Sequence, residues 1–132
     1  MNVWTISMSD GKLVRDVMSK ALISVDPATT IFQVAKMMEQ GIGAVLVKKD
    51  GTPAGIITDR DYAIKVAVNN IAMDTPVEQV ASFPLITISG DETLKSAASQ
   101  MSTKKIRKLA VVDNGSVVGI ITSTDLVTQM SI

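Results

Sequence analysis

The feature that most constrains the fold of this chain is an internal repeat that spans nearly all of it. The stretch Gly55–Asp61, with the sequence GIITDRD, returns as Gly119–Asp125, with the sequence GIITSTD. Residues upstream of these two stretches also match in the same order; for example, Val14 corresponds to Val77. Such a repeat indicates two copies of one supersecondary unit, each of which needs its neighbour to bury its apolar face. We therefore divide the chain into an N-terminal extension (residues 1–13), a first motif (14–68), a linker (69–75) and a second motif (76–132).

Hydrophobic periodicity predicts the order of elements within each motif. Apolar residues recur at helical spacing from Ile31 to Met38, after a Thr30–Gln33 capping box and before Gly41, which predicts an amphipathic helix. The second motif repeats this stripe. The predicted strands of the first motif are 22–25, 44–47 and 54–58, with a turn at 48–51 between the last two.

Three further signals complete the pattern. Asn114-Gly115 is a strong signal for a hairpin turn in the second motif. A last helix is predicted to start near Asp59 in the first motif and near Ser123 in the second. Thr75–Glu78 has the form of a capping box and predicts a short helical turn ahead of the second motif. Each motif is therefore predicted to be a βαββα unit.

These units predict an α/β (more strictly α+β) fold in which two βαββα motifs pack with pseudo-twofold symmetry. A three-stranded sheet with helices on one side leaves its other face and its edges uncovered. Strands such as Val45–Val47 and Gly119–Ile121 are nearly continuously apolar, which favours burial on both faces. The N-terminal extension, with Trp4, Ile6 and Met8, is expected to add a strand or a contact with a partner.

Composition excludes several classes of function. The chain has no Cys and no His, so it lacks a thiolate nucleophile, a disulfide, and the commonest general base and metal ligand. We therefore expect no enzyme activity, no catalytic residues and no metal site. Thirteen basic and thirteen acidic residues give a net charge of zero, which argues against nucleic-acid binding. Without an apolar run of membrane-spanning length or a signal-peptide pattern, we expect a cytoplasmic protein that does not engage a membrane.

One basic cluster stands out in this neutral chain. It consists of Lys104, Lys105, Arg107 and Lys108. Because the chain offers almost no aromatic side chains for base stacking, we interpret the cluster as a solvated face or as the wall of a phosphate site.

The most closely repeated residues lie where a predicted strand meets the final helix. Thr58 and Thr122 end the strands, and Asp61 and Asp125 fall in the first helical turn. A helix N-terminus attracts anions through its unpaired backbone N–H groups and its dipole, and a carboxylate there can accept hydrogen bonds from two ribose hydroxyls. This combination suits a ribose phosphate. The same residue types also form ordinary helix caps, so both interpretations stay open.

Both motifs resemble the cystathionine-β-synthase (CBS) motif, and residues 14–130 resemble a CBS domain pair, also called a Bateman module. The resemblance is carried by Val14–Met18 as the opening segment, by Ile106–Asp113 as the second strand with a basic lead-in, and by the two Gly-Ile-Ile-Thr-x-x-Asp signatures. It implies two clefts between the motifs that bind AMP, ADP, ATP or S-adenosylmethionine as a regulatory ligand, with no cofactor required. It also implies a homodimer formed through helices and an effector protein that responds to the ligand.

Carried over by position, the resemblance assigns roles to individual residues. Thr58 and Asp61 would hold ribose and phosphate in one cleft, and Thr122 and Asp125 would do so in the other. The remaining implied contacts are those to adenine, from Ile23, Ser24, Val25, Ile86, Thr87 and Ile88, and those to phosphate, from Arg60 and Lys108.

The two motifs are not equivalent. The second motif has Ser123-Thr124 in place of Asp59-Arg60, and it lacks the Asp-x-Met pattern of Asp16–Met18. We therefore expect one cleft to be empty, weak or selective for a less charged ligand, whereas Arg60 compensates phosphate charge in the first. The alternative function is a ligand-independent interaction or oligomerisation module whose clefts are vestigial.

Overall fold

The computed structural model describes residues 11–130, and its two compact units do not coincide with the two sequence motifs. The first unit holds residues 23–85, and the second unit holds residues 11–22 together with residues 86–130. The chain therefore passes from one unit to the other after Leu22 and again after Leu85. The strand or partner contact expected of Trp4, Ile6 and Met8 lies outside the described residues.

The predicted βαββα order is confirmed in both motifs, and the fold is mixed α+β. Within the described residues, α3 continues directly into a π-helix, whereas its counterpart α5 is an ordinary α-helix. In chain order the elements are α1 (Val14–Val17), β1 (Ser24–Val25), α2 (Ile31–Glu39), β2 (Ala44–Lys49), β3 (Thr52–Thr58), α3 (Asp59–Asp61), the π-helix (Tyr62–Ala67), a 3₁₀ turn (Val77–Gln79), β4 (Thr87–Ser89), α4 (Leu94–Lys104), β5 (Lys108–Asp113), β6 (Ser116–Thr122) and α5 (Ser123–Thr128).

Each unit contains a three-stranded sheet of the same topology. The central strand, β2 or β5, pairs in parallel with the short first strand and antiparallel with the third. Two-residue turns at Asp50-Gly51 and Asn114-Gly115 close the hairpins with φ between 50° and 78°, as a type I′ turn requires. The turn predicted at 48–51 is shorter than expected, because the flanking strands extend to Lys49 and resume at Thr52.

The helix cap that the sequence predicts is present at α2 but absent at the 3₁₀ turn. The Thr30 hydroxyl accepts from the Gln33 N–H at 3.2 Å, and the Gln33 side chain accepts from the Thr30 N–H at 2.9 Å, which confirms the capping box. The helix ends before Gly41, which has a φ of +97°. The capping box predicted from Thr75 is wrong, since Pro76 occupies the N-cap and no side chain caps the turn. Proline fixes the entry angle by itself, so a side-chain cap is not needed there.

The core of each unit contains buried residues from the beginning of the other motif. Val14 opens the first motif but is fully buried in the core of the second unit, and its repeat equivalent Val77 is fully buried in the core of the first. The core of the first unit contains Val25, Ile31, Val34, Val45, Val47, Ile57, Val66, Val77 and Val80. The core of the second contains Val14, Ile88, Leu94, Ala97, Met101, Leu109, Val111, Ile121 and Leu126.

Each unit includes a leading segment of the other motif, which we call the exchanged segment: residues 76–85 in the first unit and residues 14–22 in the second. A glycine in each hairpin leaves room for this segment. The ring of Phe83 lies against Gly55, and a Cβ on Gly55 would approach it to 2.5 Å. Met18 lies against Gly119 in the same way, with its Sδ 2.5 Å from the site of a Cβ. Both segments also form a bridge to the hairpin, Ser82 with Ile56 and Ser19 with Ile120, each through two backbone hydrogen bonds of 2.8 and 3.0 Å.

Candidate functional site

The first strand-to-helix junction brings Thr58 and Asp61 together as predicted. The Thr58 hydroxyl accepts a hydrogen bond from the Asp61 N–H at 3.0 Å, and the Thr58 N–H donates to Asp61 Oδ2 at 3.0 Å. Both residues are partly buried. The pair therefore forms a reciprocal capping box, which is the structural interpretation that the sequence left open.

The second junction has the same geometry. Thr122 accepts from the Asp125 N–H at 3.2 Å, and its own N–H donates to Asp125 Oδ2 at 2.8 Å. The duplicated residues thus preserve side-chain positions as well as residue types.

Capping does not use all the hydrogen-bonding capacity of these pairs. A carboxylate has two acceptor oxygens, and a threonine hydroxyl donates one hydrogen as well as accepting. Within residues 11–130, Oδ1 of Asp61 and Oδ1 of Asp125 accept no hydrogen bond. Each junction can therefore cap its helix and still offer a carboxylate oxygen to a ligand hydroxyl.

The backbone N–H groups expected to bind an anion are largely occupied. In the first motif, the Asp59 N–H donates to the Gly43 carbonyl at 3.0 Å, and the Arg60 N–H donates to Asp59 Oδ1 at 2.8 Å. The Asp61 N–H is bound to Thr58. The premise of free amides at this helix start is wrong, so a phosphate there would need side-chain partners.

Each first strand enters its sheet at the end where the Thr–Asp pair lies. Hydrogen bonds run from the Leu46 N–H to the Ile23 carbonyl at 2.8 Å and from the Ala110 N–H to the Ile86 carbonyl at 3.1 Å. Because the central strand separates the first and third strands, about 10 Å of sheet lies between the first strand and the threonine-bearing strand. A molecule the size of a nucleoside can span that distance.

The predicted adenine contacts differ in accessibility. The side chain of Val25 is only 7% exposed and belongs to the core of the first unit, so this position can offer a ligand only backbone atoms. Ile88 is likewise buried in the second core. Ile23 and Ser24 are half-buried, and Ile86 and Thr87 are exposed.

The predicted phosphate partners lie at the same sheet ends. Arg60 is exposed in the first turn after Thr58. Lys108 is half-buried and pairs directly with Thr122 across β5 and β6. Both residues therefore lie beside their respective junctions.

A charged cluster that sequence reasoning missed lies at the opposite end of the second sheet. Arg15 forms a hydrogen-bonded ion pair with Asp91 and lies 3.5 Å from Asp113, beside an open cavity of 670 Å³. The hydrogen bond to Asp91 raises the pKa of Arg15 above its ordinary value. These residues meet because α1 belongs to the second unit. The cluster therefore anchors the exchanged segment.

Two classes of site are not formed by the described part of the chain. No group of three His, Cys, Asp or Glu side chains there is placed to hold a metal ion. None of its helices has the length and apolarity to cross a bilayer.

Comparison with known proteins identifies the architecture. The family model for the CBS domain matches residues 14–67 and 71–132. The chain belongs to the CBS domain family. It is 36% identical over 120 residues to the CBS domain-containing protein YhcV of Bacillus subtilis, covering 89% of this chain and 86% of that protein. Three further curated relatives are longer, and the matched regions cover 61%, 24% and 62% of their lengths.

Solved CBS structures share the fold of this chain. An uncharacterised conserved protein from Pyrococcus horikoshii superposes with a TM-score of 0.84 at 29% identity, covering 92% of this chain and 93% of that one. The CBS domain pair of protein MJ0100, solved in complex with 5′-methylthioadenosine and S-adenosyl-L-methionine, superposes with a TM-score of 0.76 at 32% identity, covering 89% and 94%. The second of these pairs binds adenosyl compounds.

Proposed function

We propose that this CBS pair is a sensor module that binds an adenine nucleotide or S-adenosylmethionine and acts on a partner protein without catalysing a reaction. The observation that carries the proposal is the carboxylate oxygen that capping leaves available at each junction, on Asp61 and on Asp125. Each oxygen lies at the sheet end where the first strand enters. A duplicated acceptor, with an accessible isoleucine (Ile23 or Ile86) just before the first strand, suits a nucleoside, which has ribose hydroxyls at one end and an apolar ring at the other.

The position of these side chains at one end of each sheet supports the following proposed contacts. Oδ1 of Asp61 accepts from the ribose hydroxyls, Ile23 and the backbone of Ser24 contact the adenine, and Arg60 contacts phosphate. In the second unit Asp125, Ile86 and Lys108 take these roles. Similarity to the MJ0100 pair, whose ligands both contain an adenosyl group, supports the ligand class.

Regulation would proceed by a shift of population between two arrangements of the pair. A ligand shifts such an equilibrium only by the difference between its affinities for the two states. The junctions are suited to produce this difference, because a ligand held by Asp61 also contacts the strand that follows the Leu22–Ile23 connection between units. An effector protein that prefers one arrangement would then respond to the ligand.

Isothermal titration calorimetry with AMP, ADP, ATP and S-adenosylmethionine tests the proposal. The most informative variant is Asp61→Asn. Its carbonyl oxygen can still accept from the Thr58 N–H, while its NH₂ group replaces the ligand-facing acceptor by a donor. We expect affinity at the first junction to fall at least about tenfold, because a hydrogen bond to a charged group contributes about 1.5–3 kcal/mol. Asp125→Asn should have the same effect at the second junction.

A matched control is available in α1. Asp16 Oδ2 accepts from the Leu13 N–H at 2.9 Å, which is the same bond in the same i to i−3 relation. Asp16→Asn should therefore change stability as little as Asp61→Asn does and leave ligand affinity unchanged. If no ligand binds the wild-type protein, or if both substitutions reduce affinity equally, the sensor proposal fails.

A ligand-independent interaction module is the second candidate, and a specific surface favours it. Apolar side chains on and next to the helices of the first unit are exposed, namely Phe32 at 53%, Ile64 at 52%, Val68 at 77% and Met73 at 44%. Exposed apolar groups of this kind commonly mark protein interfaces, and we propose that a homodimer forms through them. A stable dimer by sedimentation, with a melting temperature that saturating nucleotides do not change, would favour this candidate over the sensor.

A further inference from the structure

The two strand-to-helix junctions differ in charge by more than the difference between Asp59-Arg60 and Ser123-Thr124. In the second unit the segment that leads into the central strand carries four cations, and its counterpart in the first unit carries none. The cationic residues are Lys104, Lys105, Arg107 and Lys108, and the corresponding residues of the first motif are Gln40, Gly41, Gly43 and Ala44.

The fold places these cations beside the second Thr–Asp pair. The Arg107 carbonyl accepts from the Ser123 N–H at 2.9 Å, so this segment contacts the first residue of α5. Lys108 pairs with Thr122 across the sheet. Lys105 ends α4 in a left-handed conformation with a φ of +55°, which turns the chain from the helix into β5 at the same end.

Three of the four cations are available to a ligand. Lys104, Lys105 and Arg107 are exposed, and none of them forms an ion pair within residues 11–130. At the first junction, by contrast, Arg60 lies between two carboxylates, Asp59 and Asp61. The surroundings of the second junction are therefore positive, whereas those of the first are close to neutral.

We infer that the second junction is selective for a nucleoside triphosphate and that the first takes a less charged ligand. The inference rests on the proposed function and assigns a ligand class to each site. With the ribose on Asp125, the phosphate chain would extend toward Lys104, Lys105 and Arg107, where each added phosphate group gains a nearby cation. The sequence predicts that one cleft is empty, weak or selective for a less charged ligand, because Ser123-Thr124 replaces Asp59-Arg60; the basic cluster assigns the less charged ligand to the first junction.

Calorimetric titrations of wild-type protein and a triple variant, Lys104→Gln, Lys105→Gln and Arg107→Gln, test the inference. Each exposed charge pair contributes a few-fold at most, so losing three should lower ATP affinity by about tenfold or more. AMP affinity should fall much less, because AMP has fewer charges to pair. Raising the salt concentration should weaken ATP binding to the wild type more than to the variant.

A second triple variant serves as the control. Lys48→Gln, Lys49→Gln and Lys95→Gln remove the same total charge from positions away from the junctions, since Lys49 pairs with Thr52 at the far end of the first sheet and Lys95 lies in the first turn of α4. This control should bind ATP as the wild type does. Melting curves of both variants should match that of the wild type, because five of the six substituted side chains are exposed and Lys48 is half-buried.

The possible outcomes separate the inference from the proposed function. If nucleotides bind but the two triple variants behave alike, the charge assignment is overturned and the sensor proposal stands. If no nucleotide binds, both fail. Inorganic tripolyphosphate or a short RNA that binds as tightly as ATP, and is lost with the cluster, would also overturn the inference, because recognition would then not require the nucleoside. ATP preference that disappears only in the cluster variant supports it.

Discussion

Gly55 and Phe83 provide a quantitative test of how the exchanged segment is held. An alanine at position 55 would place its Cβ 2.5 to 2.8 Å from three carbons of the Phe83 ring. Overpacking of this kind costs about 1–3 kcal/mol, and the low end applies because the ring is 41% exposed and can move outward. Gly55 does not have a positive φ, so the same substitution lowers the entropy of the unfolded chain and returns about 0.4–1 kcal/mol. We therefore expect a net loss of at most about 0.6 kcal/mol.

The Phe83→Ala background reverses the sign of this effect. Without the ring the steric cost disappears, and Gly55→Ala should stabilise the variant by about 0.4–1 kcal/mol. The four proteins form a double-mutant cycle whose coupling equals the steric cost, about 1 kcal/mol. Urea denaturation followed by circular dichroism measures each free energy of unfolding. If Gly55→Ala costs the same in both backgrounds, the contact between Gly55 and the Phe83 ring does not determine the packing.

Gly119 supplies the contrast within the same experiment. A Cβ there would meet the Ser19 carbonyl oxygen at 2.9 Å in addition to the Met18 side chain. Backbone cannot be removed by substitution, so Met18→Ala should relieve the cost of Gly119→Ala only in part. If Met18→Ala removes the whole cost of Gly119→Ala, the backbone of Ser19 moves more easily than its two hydrogen bonds to Ile120 suggest.

Two further predictions concern the cores and the tyrosine. Val77→Ala and Val14→Ala should each lower the free energy of unfolding by about 2 kcal/mol. Amide hydrogen exchange should become faster in residues 23–85 for Val77→Ala and in residues 86–130 for Val14→Ala. The opposite pattern would contradict the assignment of each valine to the core of the other motif's unit. Burial raises the pKa of Tyr62 above its ordinary value of 10.0, so the folded state holds this proton more tightly than the unfolded state and stability should fall as pH rises above about 10. Because Tyr62 is the only tyrosine, a tyrosinate absorbance titration of folded and urea-unfolded protein measures the shift directly, and identical midpoints would refute it.

Local chemistry made much of the fold predictable. Asn114-Gly115 specifies its turn because both residues tolerate positive φ, and Thr30 with Gln33 specifies a helix start through bonds between near neighbours. The Thr–Asp junctions were predictable for the same reason. In each case the partners lie within four residues of one another.

Features that depend on distant parts of the chain were not predictable. Nothing near Val77 indicates that it fills the core of the first unit, and the Gly43 carbonyl that occupies the Asp59 N–H lies on another strand end. The burial of Val25 could not be read from alternation, because β1 has only two residues. All three features depend on contacts between residues that are far apart in the sequence.

The exchange of leading segments has a consequence for how such a pair can arise. A chain with a single repeat would hold a valine and an aromatic or thioether side chain in its leading segment with no place for them in its own core. Two such chains would have to swap these segments to complete either fold, at the entropic cost of association. Fusion of two copies makes the swap intramolecular, where the effective concentration reaches the millimolar range for short connections. On this basis, cutting the present chain between its repeats should yield two fragments that fold only when mixed.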